Sequence, residues 1–474
     1  MLSKTIFLTT LIIASIGVLA TILNVPLTRA QGYETIRINP DGTVNPSSAP
    51  IQRNGDIYSV TSDITSTSIL IERNDMILDG NGHKIQGSSI GIGIYSIGTS
   101  NVTIVNITME RFQRCIRLDL SNTWILSGIL FMKSGEAVWL NASSNSVINS
   151  CSIETNSGIT LSRAANSNSI YNCEISGCGN GILIGNSMNN SIIDCNLTNN
   201  QYGIYLSSAY NNTIFGNKMD MNSVGIKFWL SSNNNFSRNI VSNCIDHAII
   251  LEDSSYNKFW HNTFKNTNNF PEIWDIRATN NVWDDGYPSG GNYWLYPSED
   301  VYSGPYQNLT GSDGIQDVPY WQDRYPLMAP FTTFYAGTWD NVAYGVDVIS
   351  NSTVSSFQFN PNEGPFVRFN VTGDLGTVGF CRVTIPKSLL WVDDGWTIRV
   401  GDQQILNYTS IIDENNTYIY FTYNHSTKTV TIQGTHVIPE FPSEAILLLF
   451  MILSAILVAL AKKRKYKNSS PIFL

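Results

Sequence analysis

Charged residues are scarce in this chain of 474 residues, of which only 14% are Asp, Glu, Lys or Arg, and the net charge is −9. No basic stripe is present, so nucleic acid is not an expected partner. Aromatic residues make up 11% of the chain, which together with the low charge argues against disorder. Phosphate-loop, dinucleotide, serine-elbow and zinc-spacing motifs are also missing, so those signatures give no enzyme class.

Two apolar runs lie near the ends of the chain. The run IFLTTLIIASIGVLATIL follows Lys4 and leads to Ala30, which predicts a signal peptide over residues 1–30 or, alternatively, an uncleaved anchor. The run AILLLFMILSAILVALA precedes KKRK, which predicts a membrane helix over 444–461 and a basic cytoplasmic tail over 462–474. The rest of the chain is then expected outside the cell, where four Asn-x-Thr sequons would be glycosylated: Asn196, Asn211, Asn351 and Asn370.

A period of about 22 residues runs through the first half of the chain. Two consecutive lines, NSIIDCNLTNNQYGIYLSSAYN from Asn190 and NTIFGNKMDMNSVGIKFWLSSN from Asn212, show it. A short period of strand-like pieces with no helical stretch predicts a parallel β-solenoid in which equivalent residues stack between turns. Strand alternation places Ile204 inside and Tyr205 outside.

Asparagine and cysteine occupy fixed columns of this repeat. Asn212 and its equivalents are expected to mark left-handed corners, and stacked Asn side chains to hydrogen-bond along the axis. Cys151, Cys173 and Cys195 share a column that continues as asparagine. Since the seven cysteines are an odd number without a disulfide-scaffold spacing, we expect this column to be an inward ladder of free thiols, with a metal-binding row as the alternative.

The chain divides by pattern into successive segments. An N-terminal cap is predicted over 31–75, the solenoid over 76–282 and a C-terminal cap over 283–330, because the ends of a stacked sheet need cover. Alternating segments split by Gly, Asn and Asp predict a β-sandwich over 331–437. Residues 438–443, IPEFPS, form a linker before the apolar run.

Three features resemble a known family: LDGNGHKI, the N-x-I/F-x-x-N turns, and the closing NNVWDDGYPSGGNYW, SDGIQDVPY and RYPLMAP. They resemble the NosD-like right-handed parallel β-helix family, which overlaps carbohydrate-binding and sugar-hydrolase β-helices. The resemblance implies that fold, and a named member is implicated in copper delivery to nitrous oxide reductase. The acidic run before the closing GIxD is shortened here to GSDGIQD, which weakens the case for a cation site there. The sandwich resembles a module of archaeal surface proteins. The tail resembles archaeal sorting tails, with a plain anchor as the alternative.

The outward columns of the solenoid carry aromatic side chains beside charged ones, a combination that suits sugar rings and their hydroxyl groups. The alternative is an ordinary outer face. The residues predicted to bind a glycan are Arg117, Asp119, Trp139, Tyr205, Lys227 and Trp229.

Catalysis and metal handling are the alternative hypotheses. A hydrolase needs two carboxylates about 5–9.5 Å apart, for which the candidates are Asp246, Glu252, Asp253 and Asp275, followed by Asp284 and Asp285. A lyase would use a cation and a base such as Lys227 or Arg117. Copper would favour Met219 and Met221, the one Met-x-Met of the repeat. No cofactor follows firmly from the residues, and calcium or copper stays open.

We therefore predict an all-β protein, a right-handed parallel β-helix followed by a β-sandwich, anchored at the cell surface. The favoured role is binding of a polysaccharide or surface glycan without turnover. A polysaccharide hydrolase or lyase, a copper-handling factor and a structural role in a surface layer remain alternatives. A monomer is expected because both solenoid ends are capped.

Overall fold

The computed structural model describes residues 34–265, 273–295 and 297–438. The predicted signal peptide, membrane helix and cytoplasmic tail lie outside these ranges. The regular elements that the structure describes are all β-strands, and none of its described segments is a helix able to span a membrane. The chain divides into two compact units, residues 1–210 and 211–474.

The first unit is built from short strands, with three per turn once the repeat is established. Their bounds are β1 (Glu34–Ile38), β2 (Val44–Asn45), β3 (Ile51–Asn54), β4 (Ile57–Val60), β5 (Ile64–Thr65), β6 (Thr67–Ile71), β7 (Met76–Asp79), β8 (Lys84–Gln86), β9 (Ile92–Ile97), β10 (Val102–Val105), β11 (Thr108–Glu110), β12 (Arg114–Asp119), β13 (Ile125–Ser127), β14 (Leu130–Met132), β15 (Glu136–Asn141), β16 (Val147–Asn149), β17 (Ser152–Glu154), β18 (Ser157–Ser162), β19 (Ser169–Tyr171), β20 (Glu174–Ser176), β21 (Asn180–Gly185), β22 (Ser191–Ile193), β23 (Asn196–Thr198) and β24 (Tyr202–Ser207).

These strands form three sheets in which each turn pairs with the next. Sheet A has the order β2-β1-β6-β9-β12-β15-β18-β21-β24, sheet B the order β3-β4-β7-β10-β13-β16-β19-β22, and sheet C the order β23-β20-β17-β14-β11-β8-β5. Pairing is parallel except where β2 and β3 close the N-terminal edges. The parallel pair β1–β6 shows that the solenoid pattern already exists inside the segment predicted as the N-terminal cap.

The second unit continues with solenoid strands and then changes architecture. Its strands are β25 (Thr213–Phe215), β26 (Lys218–Asp220), β27 (Val224–Trp229), β28 (Asn235–Ser237), β29 (Ile240–Ser242), β30 (His247–Glu252), β31 (Lys258–Trp260), β32 (Thr263–Lys265), β33 (Ile273–Ile276), β34 (Tyr302–Ser303), β35 (Leu309–Thr310), β36 (Phe331–Trp339), β37 (Val342–Ser350), β38 (Thr353–Phe359), β39 (Phe366–Thr372), β40 (Val378–Pro386), β41 (Leu390–Trp391), β42 (Thr397–Val400), β43 (Gln403–Ile405), β44 (Tyr408–Ile412), β45 (Asn416–Asn424), β46 (Lys428–Gln433) and β47 (His436–Val437).

Two five-stranded antiparallel sheets form a sandwich in the second unit. Their orders are β36-β37-β40-β45-β44 and β38-β39-β46-β42-β43. The core between them is apolar and includes Val383, Phe421, Phe369 and Ile432, all at most 1% exposed. The predicted fold class is therefore confirmed: each unit contains turns of a parallel β-helix, and the second adds antiparallel β-sheets.

The asparagine column is buried, and the prediction that it marks the corners is wrong. Asn212 is only 1% exposed, and the left-handed corner belongs to its neighbour Asn211, with φ 54°. The predicted hydrogen bonding along the axis is confirmed. The backbone N–H of Asn212 donates to Oδ1 of Asn234 at 2.9 Å, and Asn234 donates in the same way to Asn257. A buried amide thus satisfies one backbone donor of the preceding turn.

The cysteine column is also inward, as predicted. Cys151, Cys173 and Cys195 are at most 2% exposed, and the thiols are free, as are the other cysteines that the structure describes. Each sulfur lies 3.3–3.4 Å from the backbone carbonyl two residues earlier. Burial raises the pKa of a thiol, so the column acts as a compact apolar filler.

A second asparagine ladder ends in the closing segment of the solenoid. Asn217, Asn239 and Asn262 each donate a backbone N–H to the Oδ1 of the next ladder residue, ending at Asn292. The Asn292 N–H then donates to Oδ2 of Asp323 at 2.7 Å. The GGNYW and RYPLM stretches of the closing sequence therefore meet where the ladder stops.

Candidate functional site

An open groove of about 600 Å³ lies on the outer face of sheet A in the first unit. Its lining includes Arg114, Glu136, Trp139, Thr160, Arg163 and Leu183. The volume is within the range of small-molecule sites, about 300–1,000 Å³. We call this surface the groove.

The groove lies where two neighbouring strands carry outward side chains that are smaller than the aromatic ones on the strands before and after them. β15 presents Trp139, whereas β18 presents Thr160 and β21 presents Leu183 at the same register position. The next strand, β24, is bulky again with Tyr205, whose ring centroid is 5.4 Å from that of Tyr202. Strands stack about 4.8 Å apart, so roughly 14 Å separate the tryptophan strand from the tyrosine strand.

Trp139 is held rigidly at one side of the groove. Its Nε1–H donates to Oγ of Ser162 at 2.7 Å. The guanidinium carbon of Arg114 lies 3.9 Å from a ring centroid of Trp139, and that of Arg117 lies 4.8 Å away. A ligand therefore meets the tryptophan together with two stacked cations, and not as a bare aromatic ring.

Asp119 positions Arg117, the second cation that stacks on Trp139. The carboxylate is 5% exposed and accepts hydrogen bonds from Arg117 Nε at 3.1 Å, Asn141 Nδ2 at 2.8 Å and Tyr95 Oη at 3.1 Å. Burial, and next the nearby Asp119 charge, raise the pKa of Tyr95 to about 12. Tyr95 therefore stays protonated near neutral pH and acts as a hydrogen-bond donor to Asp119.

Glu136 and Arg114 form the second ion pair of the groove. Nε of Arg114 donates to Oε2 of Glu136, and the two side chains are 23% and 13% exposed. Nη1 and Nη2 of Arg114 have no protein partner among the described residues, and Arg163 at the rim is exposed and equally without one. The groove lining thus holds two arginines against one glutamate.

Of the residues predicted from the sequence, Trp139 lines the groove, Arg117 and Asp119 lie beside Trp139, and Tyr205 lies on the strand next to Leu183. The sequence reasoning did not name Arg114 or the other first-position residues of the sheet A strands. Each of these strands is six residues long, with its second and third residues both buried. Strict alternation fails at that pair, so the first residue faces the same side as the fourth. Small residues occupy the second position of these strands, as Cys115 and Ala137 do. This feature of the sequence could have predicted the break in alternation.

Lys227 and Trp229 belong to the second unit. Lys227 Nζ lies 3.1 Å from Oε2 of Glu252, and Trp229 is 39% exposed. Their assignment to a glycan site stays a prediction. The sequons are accessible at Asn196, Asn211 and Asn351, whereas Asn370 is half-buried and accepts a hydrogen bond from Thr429 at 2.9 Å.

Most of the candidate acidic residues have their own separate partners. Asp253 pairs with Arg277 through two 2.6 Å hydrogen bonds, Asp284 pairs with Arg324, and Glu252 with Lys227. Asp275 accepts the Ala278 N–H at 3.1 Å, Asp285 accepts from Ser289, and Asp246 is exposed. Within the described ranges, no hydrogen bond joins two of these carboxylates.

A family model described as "Periplasmic copper-binding protein (NosD)" matches residues 48–299, which is more than half of the chain. The chain belongs to the NosD family. The resemblance to this family is thereby confirmed, and LDGNGHKI and NNVWDDGYPSGGNYW lie within the matched residues. No curated protein sequence matches the chain.

Several solved β-helix structures are similar to this NosD-family chain at a low level. The periplasmic alginate epimerase AlgG is 12% identical over 48% of this chain and 80% of its own, with TM-score 0.31. DFA-IIIase from Arthrobacter chlorophenolicus A6 is 11% identical over 51% and 71%, with TM-score 0.37. A tailspike double mutant of E. coli bacteriophage HK620 with a pentasaccharide is 10% identical over 79% and 76%, with TM-score 0.36. Likenesses at this level carry no information on function.

The residues that this NosD-family structure describes do not fit a copper site. Copper favours clustered thiolate, thioether and imidazole ligands. Met219 is fully buried in the core, whereas Met221 is 47% exposed at a left-handed corner, so the two thioethers lie in different environments. No group of three or more His, Cys, Asp or Glu able to hold a metal occurs among the described residues.

Proposed function

We propose that the groove binds one segment of a glycan chain without cleaving it. The observation that carries this proposal is the gap in the outward column of sheet A. The groove lies over Thr160 and Leu183, which follow Trp139 in this column and precede Tyr205 on the next strand. A flat sugar ring fits such a gap, because its CH-rich face packs on aromatic carbon and its hydroxyls reach polar groups at the rim.

Ligand binding in the groove needs little rearrangement. Ser162 and Arg114 hold Trp139 in place before any ligand binds. Ligand binding therefore costs little side-chain entropy at Trp139. A preorganised wall of this kind increases affinity by lowering the cost of ordering. Ser157 and Ser162 of β18 also line the groove, and their hydroxyls can form hydrogen bonds with those of a sugar.

The acid–base groups near the groove favour binding over turnover. A general acid or base works best with a pKa near the working pH. Asp119 is occupied by three donors, and the pKa of Tyr95 is about 12, far from neutrality. Glu136 is engaged by Arg114.

We further propose that this binding takes place outside the cytoplasm, at a membrane. Two observations support this: the apolar run at 445–461 followed by KKRK, and the word periplasmic in the description of the family. The groove would then face a cell-surface or environmental polysaccharide.

The test is to fill the groove and leave the solenoid intact. Leu183→Trp adds a large ring in the gap, on a column where aromatic residues already stack. We expect the detergent-solubilised full chain to lose at least about tenfold in affinity for any polysaccharide it retains in affinity electrophoresis, which corresponds to about 1.4 kcal/mol. Trp274→Ala is the matched control, since Trp274 is a 50% exposed aromatic residue of the second unit.

Unchanged retention by Leu183→Trp would overturn the groove as the site. New reducing or unsaturated ends during incubation with the retained polysaccharide would overturn binding without turnover. Alanine at Trp139 together with Tyr205 gives a second, independent measure of the same site.

A further inference from the structure

Two arginines that line the groove have N–H groups without protein partners, and binding of an uncharged glycan would not require these cations. Nη1 and Nη2 of Arg114 and the whole guanidinium of Arg163 are without protein partners among the described residues, although both line the groove. Arg114 is only 23% exposed and is stacked on Trp139, so its unused N–H groups are held in place. Donors of this type are costly to leave unpaired when a ligand excludes water.

The charge at this site also runs against the charge of the chain. The protein carries −9 overall, yet the groove lining contributes two arginines and one glutamate. The neighbouring ion pair of Arg117 with Asp119, beside Trp139, has no net charge. A local excess of guanidinium on an acidic protein selects for negative charge in whatever enters the groove.

We propose that the glycan bound in the groove is acidic and that Arg114 and Arg163 bind its carboxylate groups. This inference rests on the proposed glycan-binding function and specifies the class of ligand. Guanidinium matches a planar carboxylate through two parallel hydrogen bonds. A polyuronate supplies such a carboxylate on every residue, on a sugar ring that can pack between Trp139 and Tyr205.

Glu136 opposes this preference and sets its strength. Its carboxylate holds Arg114 through Nε, and the two η nitrogens have no protein partner among the described residues. The amide of Glu136→Gln can still accept from Nε, so Arg114 keeps its position, but the negative charge is removed. We therefore expect Glu136→Gln to bind an acidic polymer more tightly than the wild type.

The experiment compares polygalacturonate with its carboxyl-reduced form, which has the same backbone linkage without the charge, on the detergent-solubilised full chain. We expect polygalacturonate to bind at least about tenfold more tightly. Arg163→Gln should lose about tenfold of that affinity, and Arg163→Lys should be intermediate because it keeps charge without the planar fork. Glu136→Gln should gain about threefold. Added salt should weaken polygalacturonate binding alone.

The possible outcomes distinguish a failure of this inference from a failure of the proposed glycan-binding function. Equal binding of both polymers, lost in Leu183→Trp, overturns the acidic preference and keeps the glycan site. Preferential binding of polygalacturonate that Arg163→Gln and Glu136→Gln leave unchanged overturns the assignment to these arginines. Failure of both polymers to bind, with other neutral polysaccharides retained through the groove, also rejects the acidic class. If no acidic or neutral polysaccharide is retained, both proposals fail.

Discussion

The equivalent inward position of the 22-residue repeat is cysteine in the first unit and asparagine in the second. Cys151, Cys173 and Cys195 contact the carbonyl two residues earlier, as Asn217 and Asn239 do. The asparagines also accept the backbone N–H of the preceding turn at 2.9 Å. In the cysteine column that N–H meets a sulfur instead, as the Cys151 N–H does at Cys173.

This difference shows that one geometry can be stabilised in two ways. Sulfur is a weak acceptor, so the thiol column contributes mainly by filling space in the core. The asparagine column satisfies buried backbone donors with strong acceptors, and a fully satisfied buried network also makes each member costly to remove. The predictions below test that contrast, beginning with the residue on which the asparagine ladder ends.

Asp323 should be the most sensitive position of the comparison. Its carboxylate accepts from the Asn292 N–H at 2.7 Å, Trp294 Nε1 at 3.0 Å and the Tyr325 N–H at 3.1 Å, all in buried surroundings. Asp323→Ala leaves these donors unsatisfied, which should lower the free energy of unfolding by about 3–5 kcal/mol. Urea unfolding monitored by tryptophan fluorescence measures the change.

The control for this variant is Asp323→Asn, which keeps one carbonyl oxygen. That oxygen can still serve Asn292 and Trp294, so the loss should be clearly smaller than for alanine. Equal losses in the two variants would show that packing, and not hydrogen bonding, makes Asp323 important. Gly291→Ala should resemble Asp323→Ala, since a Cβ there would lie 1.9 Å from Oδ1 of Asp323.

Asn239 should be the next most sensitive position, in the middle of the ladder. Its Oδ1 accepts the Asn217 N–H at 2.9 Å, and its Nδ2 donates to the Ile214 carbonyl at 2.9 Å. Asn239→Ala removes both, leaving buried groups of the neighbouring turn unpaired at a cost of about 2–4 kcal/mol. Hydrogen exchange should show the loss of protection concentrated at Asn217.

Cys173→Ala in the thiol column is the matched comparison for Asn239→Ala. It removes one sulfur and a weak contact, so we expect about 1 kcal/mol. A loss as large as that of Asn239→Ala would mean that the thiols form a ladder of comparable strength.

The pH dependence of stability should also separate the two columns. Burial raises the pKa of Asp323 to about 7, against the effect of the Asn292 N–H and the other donors. Because the folded-state pKa lies above the ordinary value of 3.8, the folded state binds the proton more tightly. The Asp323 contribution to stability is therefore fully present below about pH 4 and is lost as the pH rises to about 7.

Urea midpoints of the wild type and Asp323→Asn between pH 4 and 8 measure this contribution as a difference. The difference should change through that window and be flat above it. Cys173→Ala, in contrast, leaves Asp323 in place, so we expect it to shift the midpoint equally at each pH. A flat difference for Asp323→Asn would mean that Asp323 stays ionised throughout.

The 22-residue period was sufficient to predict the solenoid and the inward direction of Cys173, because a side-chain column follows directly from a fixed repeat. The groove was only half predictable. Trp139 lies on the alternating part of its strand, but Glu136 precedes two consecutive buried residues, which a period of two does not describe. Asp323 could not be placed, because 31 residues of mostly irregular chain separate it from Asn292.

Reciprocal exchange between the columns should give the smallest effects and the sharpest comparison. Cys173→Asn places an oxygen where the Cys151 N–H now meets sulfur, and an amide N–H near the Tyr171 carbonyl that lies 3.4 Å from the thiol. The gain in hydrogen bonding offsets the larger side chain, so we expect stability to stay within about 1 kcal/mol of the wild type. Asn239→Cys is the reverse change and should cost about 2 kcal/mol, because sulfur cannot replace Oδ1 as the acceptor for Asn217. Urea midpoints of the two variants decide the issue: this asymmetry is expected if hydrogen bonding distinguishes the columns, whereas equal losses would mean that each column is fitted only to the volume of its own residue.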